Sequence, residues 1–181
     1  MTGLRAERTS ISERDRAAVT AGLGRTAREV SGVGHRCGCG LPDVVVTDPR
    51  LADGSPFPTV FYLTCPRAVS RVSSLESSGV MATMTADLQS DAELGEAYRR
   101  AHRDYQARRE ELGVVPELAG VSAGGMPDRV KCLHALVAHA LAAGTGINPI
   151  GDRVLTLLGA QGLGPDRCWG APGSCTAVQQ P

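Results

Sequence analysis

Apolar residues recur at helical spacing in five stretches of this chain, while one early stretch carries short β-branched runs bounded by turn residues; the division predicts an α+β fold. Ser12 with Asp15 three residues on opens "SERDRAAVTAGLGRTAREV", with apolar positions at Val19, Leu23 and Val30, a glycine-weakened amphipathic helix. From Gly32 the text "GVGHRCGCG" is too rich in glycine for a helix and leads into "DVVVTD" between Pro42 and Pro49, which reads as two strands around a tight turn. After the turn-rich "DPRLADGSPFP", the run "TVFYLT" reads as a further strand with Val60, Tyr62 and Thr64 on one face. The expected architecture is a small, mostly antiparallel sheet from residues 32 to 64 packed against four to five helices in a single domain.

The helices follow from capping and periodicity. Pro66 suits the first helical position of a helix with Val69, Val72 and Leu75 on its apolar face, placing Cys65 at or beside the N-cap. Ser90 and Glu93 form a capping-box pattern before the longest helix, along which Leu94, Ala97, Tyr98, Ala101, Tyr105 and Leu112 recur. Its Arg99, Arg100, Arg103, Arg108 and Arg109 are interleaved with Glu96, Asp104, Glu110 and Glu111, as on a solvated face. Pro127 as a first-turn proline starts a helix over 127–143, and "GTGIN" joins it to a last one over 149–159. On the first of these, Val130, Leu133, Leu136, Val137, Ala140 and Leu141 make a broad apolar arc. Cys132 and His139 share one edge of it, and His134 lies near the other. Residues 1–27 read as an N-terminal helix and extension, 28–159 as the domain, and the glycine- and proline-dense 160–181 as a disordered tail.

Composition narrows the function classes. Nineteen basic and nineteen acidic side chains cancel, so no global field favours nucleic acid or a membrane surface. Aromatic residues make up 3% of the chain, too few for a base-stacking platform, so nucleic acid is not an expected partner. "MTGLRAERTSISERDRAAV" has no apolar core of a secretory signal and no stretch approaches a membrane span, so a cytoplasmic protein without membrane insertion is expected. Six cysteines in that setting are buried thiols, metal ligands or nucleophiles rather than a disulfide framework.

Three local features carry candidate chemistry. Cys37 and Cys39 form a glycine-flanked C-x-C pair that lets thiolates converge on a soft metal. Cys65 at a helix N-terminus is expected to have a lowered pKa, and Cys132 is either a small core residue or a fourth ligand. Cys132 and His139, seven apart, are separated by about 10 Å along a helix axis, which disfavours both binding one ion. Finally "SAGG" before Pro127 offers the amides of Ser122, Ala123, Gly124 and Gly125, with Arg129 and Lys131, as an anion nest, or simply a tight turn. Cys168 and Cys175 fall in the expected tail and enter no site.

The segments "RCGCGLPDVVVT", "DGSPFPTVFYLTCPRAVSRVSSLESSGVM", "AYRRAHRDY" and "SAGGMPDRVKCLHALVAHALAAGTGINPIGD" resemble the bacterial, typically actinobacterial family called domain of unknown function 501, over roughly residues 28–158. The resemblance implies no assigned activity. It does imply recurring Cys/His positions at Cys37, Cys65 and Cys132 with His134 and His139, Cys39 being less regular. A site of the three cysteines and one histidine, His139 before His134, would hold zinc or leave one iron of an iron–sulfur cluster open. Metal binding is thus the first expected function. The second is a small enzyme acting on an anionic or phosphorylated molecule held at the glycine loop, with Cys65 or a metal-bound water as nucleophile and a histidine as base. The third is an interaction module of the division machinery, drawn from the gene neighbourhood the family implies and using the Arg99 to Arg109 face.

Overall fold

The computed structural model describes residues 10–27 and 29–170. Helix α1 (Glu13–Leu23) precedes three strands, β1 (Val30–Arg36), β2 (Pro42–Thr47) and β3 (Phe61–Leu63). Five helices follow: α2 (Pro66–Ser77), α3 (Val80–Ser90), α4 (Ala92–Glu110), α5 (Leu133–Ala143) and α6 (Pro149–Ala160). The strands form one antiparallel sheet in the order β1-β2-β3, and the fold is α+β. No described helix is long and apolar enough to cross a membrane.

The pleat of β2 explains how the layers form. Val44 and Val46 point into the main core with Phe61 and Leu63 of β3, while Val45 faces the other way into a smaller cluster with Val19 and Val30. The sheet is therefore covered on one face by α1 and on the other by α5, which also packs on α2 and α6. Helix α5 is apolar almost all round, and burying Leu133, Leu136 and Val137 completely contributes roughly 1.5–3 kcal/mol each.

Several expected boundaries move, each for a tertiary reason. Gly24, in the left-handed region at φ 66°, ends α1 before Val30, which opens β1 instead. On the short β3 the core face belongs to Phe61 and Leu63. Tyr62 packs toward α1, and Val60 is buried just before the strand, so Val60, Tyr62 and Thr64 do not act as one face. The cap of α4 is Asp91, whose carboxylate accepts from the amides of Glu93 and Leu94, whereas the Ser90 hydroxyl turns back to the Ala86 carbonyl as α3 ends.

The largest shift is at Pro127. The helix expected over 127–143 begins at Leu133, because Val130 donates its amide to Thr85 Oγ1 on α3 at 3.0 Å and Lys131 and Cys132 donate theirs to the Gly124 carbonyl. Residues 124–128 are turns, and Cys132 caps α5 in an extended conformation. Part of the segment expected as a disordered tail is ordered: residues 165–170 lie against the β1–β2 turn and β2 with Trp169 fully buried, and 171–181, with Cys175, lie outside the described residues.

Candidate metal centre

The turn between β1 and β2 is built by Cys37 to Leu41. Cys37 N–H donates to the Leu41 carbonyl at 3.0 Å and Gly40 N–H to the Cys37 carbonyl at 2.8 Å. Gly38 N–H donates to the Pro165 carbonyl at 2.8 Å, and a Cβ on Gly38 would stand 2.6 Å from the Asp166 carbonyl oxygen. Glycine between the two cysteines is what lets the C-terminal segment lie against their turn. That segment then carries two successive non-glycine residues in the left-handed region, Cys168 at φ 48° and Trp169 at φ 56°. Such backbone costs of order 1–3 kcal/mol per residue and persists where surrounding structure demands it. Here it delivers Cys168 to the turn: the sulfurs of Cys37, Cys39 and Cys168 all lie within 4.8 Å of one another.

A polar network underlies the three sulfurs. Asp43, fully buried on β2, accepts from the indole N–H of Trp169 at 3.1 Å through Oδ2 and from His35 Nδ1 at 2.7 Å through Oδ1. The carboxylate raises the His35 pKa above its ordinary value, so His35 and Asp43 form an ion pair when the imidazole is charged. Burial pushes the Cys37 thiol far up, and the adjacent Cys39 sulfur adds to it. Cys65 behaves contrary to the sequence expectation. Its amide neighbours Arg67 and Ala68 at the start of α2 favour the thiolate, but burial outweighs them and raises its pKa.

The residues proposed from sequence as one site are distributed over separate places. Among the described residues, two groups of three ligand-type side chains converge within 4.8 Å: Cys37, Cys39 and Cys168, and Glu76, Cys132 and His134. Neither contains Cys65 or His139, and the first two of the expected cysteines do not meet Cys132. His139 is a core residue. Its Nε2–H donates to Asp104 at 2.8 Å, its Nδ1 accepts from Asn148 Nδ2 at 3.1 Å, and its ring stacks on Phe61 with centroids 5.5 Å apart. Both nitrogens are thus spoken for, and burial lowers its pKa, holding it neutral.

Residues 33–156 match the family described as "Protein of unknown function (DUF501)". The chain belongs to that family. No curated protein and no solved structure matches it. The DUF501 match spans Cys37, Cys39, Cys65, Cys132, His134 and His139 but ends before Cys168 and Trp169, so the third sulfur of the converging group lies beyond the shared region.

Within the DUF501 region, Glu76 reaches from α2 to the start of α5. Its Oε1 accepts from Leu133 N–H at 2.6 Å and from His134 Nδ1 at 3.1 Å, while His134 Nε2 faces the Val69 carbonyl at 3.2 Å. The neighbouring His134 lowers the Cys132 pKa, and Cys132 together with Glu76 lifts His134 to about 9. The six residues expected as an anion nest, Ser122 to Gly125 with Arg129 and Lys131, do line one open cleft of about 580 Å³ together with Asp128. The helix-dipole half of that expectation fails, because α5 starts at Leu133 and the amides of Arg129 and Lys131 are used within the loop. Nor is the α4 arginine face uniformly basic. Arg99 and Arg103 pair with Glu96, Arg108 with Asp104, and the buried Arg109 donates to the Leu118 and Val121 carbonyls.

Sequence reasoning missed Cys168, Trp169, Asp43, His35 and Glu76. One signal was present: the single tryptophan of the chain, directly after a cysteine, sits in a segment otherwise poor in large apolar residues. A tryptophan seeks burial together with a partner for its N–H, which argues against disorder at that point.

Proposed function

We propose that this protein binds a soft metal ion, zinc in preference to an iron–sulfur cluster, through Cys37, Cys39 and Cys168. The observation that carries the proposal is the convergence of the three sulfurs within 4.8 Å. Thiolates bound to zinc at ~2.3 Å in a tetrahedron stand ~3.8 Å apart, so small side-chain rotations bring these residues to ligating distance. The donor set also fits: three thiols prefer zinc, whereas a common iron–sulfur cluster takes four protein ligands. When bound, the ion supplies a cross-link between the β1–β2 turn and the C-terminal segment, and the fourth coordination position remains for a further ligand. Reduced thiols serving as ligands suit a reducing compartment such as the cytoplasm.

Elemental analysis of anaerobically purified protein tests this directly. The reading predicts about one zinc per chain, as one closed site requires, and its loss in Cys37→Ser and in Cys168→Ser but not in Cys65→Ser. Protein devoid of zinc and iron, and unable to take up either, contradicts it. A second reading, binding of a small anion at the glycine loop, is favoured by the single cleft that all six expected residues line. It predicts that millimolar inorganic phosphate raises the unfolding temperature and that Arg129→Ala abolishes the effect.

A further inference from the structure

The second converging group has a different chemistry from the first. We propose that Cys132, His134 and Glu76 form a thiol-based reactive site, in which the Cys132 sulfur is the nucleophile toward a small uncharged electrophile of the hydroperoxide class.

The geometry argues this from the imidazole outward. His134 Nε2 faces the Val69 carbonyl, which only accepts, and also lies 3.2 Å from the Ser73 hydroxyl. Its Nδ1 faces the Glu76 carboxylate, which likewise only accepts when ionised. Nδ1 therefore carries hydrogen, while Nε2 either donates to the Val69 carbonyl, making the ring an imidazolium, or accepts from the Ser73 hydroxyl; in both states the ring is held beside the Cys132 sulfur. Glu76 is itself fixed by the Leu133 amide, so it is the positioning residue of the group. Cys132 caps α5, with the Ala135 amide lying toward its sulfur without closing a cap hydrogen bond. A thiol in that setting is stabilised as thiolate, and the directions of the Cys132 and His134 shifts agree with the geometry.

The same features separate this group from a metal site. His134 Nδ1, whose hydrogen is given to the Glu76 carboxylate, has no lone pair to give an ion. Cys132 is half-buried, beside side chains exposed by 24% at His134 and 23% at Glu76, so the group stands at the solvent boundary. The Glu76 carboxylate disfavours an anionic reactant, which leaves a neutral one. In the step, the thiolate sulfur attacks one peroxide oxygen, an S–O bond forms and the O–O bond breaks. The leaving hydroxide takes a proton from His134 and departs as water. The sulfur is oxidised by two electrons to a sulfenic acid, and the peroxide is reduced by two.

The test exposes the full-length protein to limiting hydrogen peroxide with dimedone present and reads the modified cysteine by peptide mass spectrometry. Cys132 is expected to be labelled ahead of Cys65 and Cys37, and His134→Gln to slow it about tenfold or more. Glu76→Gln keeps an acceptor for the Leu133 amide and is expected to shift the pH profile of Cys132 labelling. Two results overturn the proposal: Cys132 labelled no faster in the folded protein than in denaturant, or zinc protecting Cys132 from the reagent. Where His134→Gln does not fold, the folded-against-denatured comparison of the unaltered chain decides alone.

Discussion

Cys37 and Cys132 are the same side chain placed in opposite surroundings, and the contrast shows how position decides what a thiol does. Cys37 is buried beside two further sulfurs and a buried carboxylate, and burial, the Cys39 sulfur and Asp43 all oppose its ionisation. His35, two residues before it on β1, is already paired with Asp43. A thiol cluster of that kind is poorly reactive without a cation and well suited to bind one. Cys132 has a histidine beside it, a carboxylate holding that histidine, and access to solvent. A thiolate formed there would be balanced within the protein by that histidine. One region asks for a metal; the other has its own histidine.

The contrast breaks most severely at Trp169, which closes the sulfur cluster and donates to Asp43. Trp169→Ala is expected to cost about 3–5 kcal/mol, as for other fully buried tryptophans, and to abolish zinc binding by releasing Cys168. Trp169→Phe, which leaves Asp43 Oδ2 without its indole donor, should cost about 1–3 kcal/mol. Equilibrium denaturant unfolding of both variants, with zinc content measured alongside, checks the pair. Labelling of Cys132 by peroxide in Trp169→Phe should be unaffected, since that group stands on other elements.

A second variant sharpens the division by showing what is not a ligand. His139→Gln leaves the half-buried Asp104 and the buried Asn148 imperfectly paired and should lower stability by about 1–3 kcal/mol. Zinc content in the variant should equal that of the unaltered protein. Loss of zinc with little loss of stability would reassign His139 to the metal.

The smallest effect is one of pH. The Asp43 carboxylate, with Asp166 nearby, raises the His35 pKa in the folded state. A raised folded pKa means that the contribution is complete below the ordinary histidine value, about 6.5, and fades as pH rises through the folded value. Unfolding free energies measured from pH 6 to pH 9 should therefore fall less steeply in His35→Gln than in the unaltered chain. Identical slopes would remove the His35–Asp43 pair from the account.

Much of the fold was legible in the sequence because it rests on local signals. The Ser12 and Asp15 capping box, Pro66 opening α2, the β-branched centre of β2 and the "GTGIN" joint before α6 act within a few residues. The Pro127 start was misread because the decisive interaction, Val130 N–H to Thr85, joins residues 45 apart in sequence. The site was harder for the same reason. The glycine-flanked C-x-C pair announced two ligands, but Cys168 arrives through a left-handed backbone that no pattern marks. Helical periodicity placed Cys132 and His139 on one edge of a helix that in fact begins only after Cys132. His134, set apart by that reading, is the histidine that Cys132 meets.

The central claim is that zinc is held by sulfur at the β1–β2 turn. X-ray absorption fine structure of the zinc-loaded protein tests it most directly, because the two groups offer different donors: three sulfurs at one, and one sulfur with nitrogen and oxygen at the other. The account predicts a shell of three sulfurs at about 2.3 Å in the unaltered protein and no retained zinc in Cys168→Ser. A first shell of one sulfur with nitrogen and oxygen at about 2.0 Å, unchanged by Cys168→Ser, would contradict it and move the metal to Cys132.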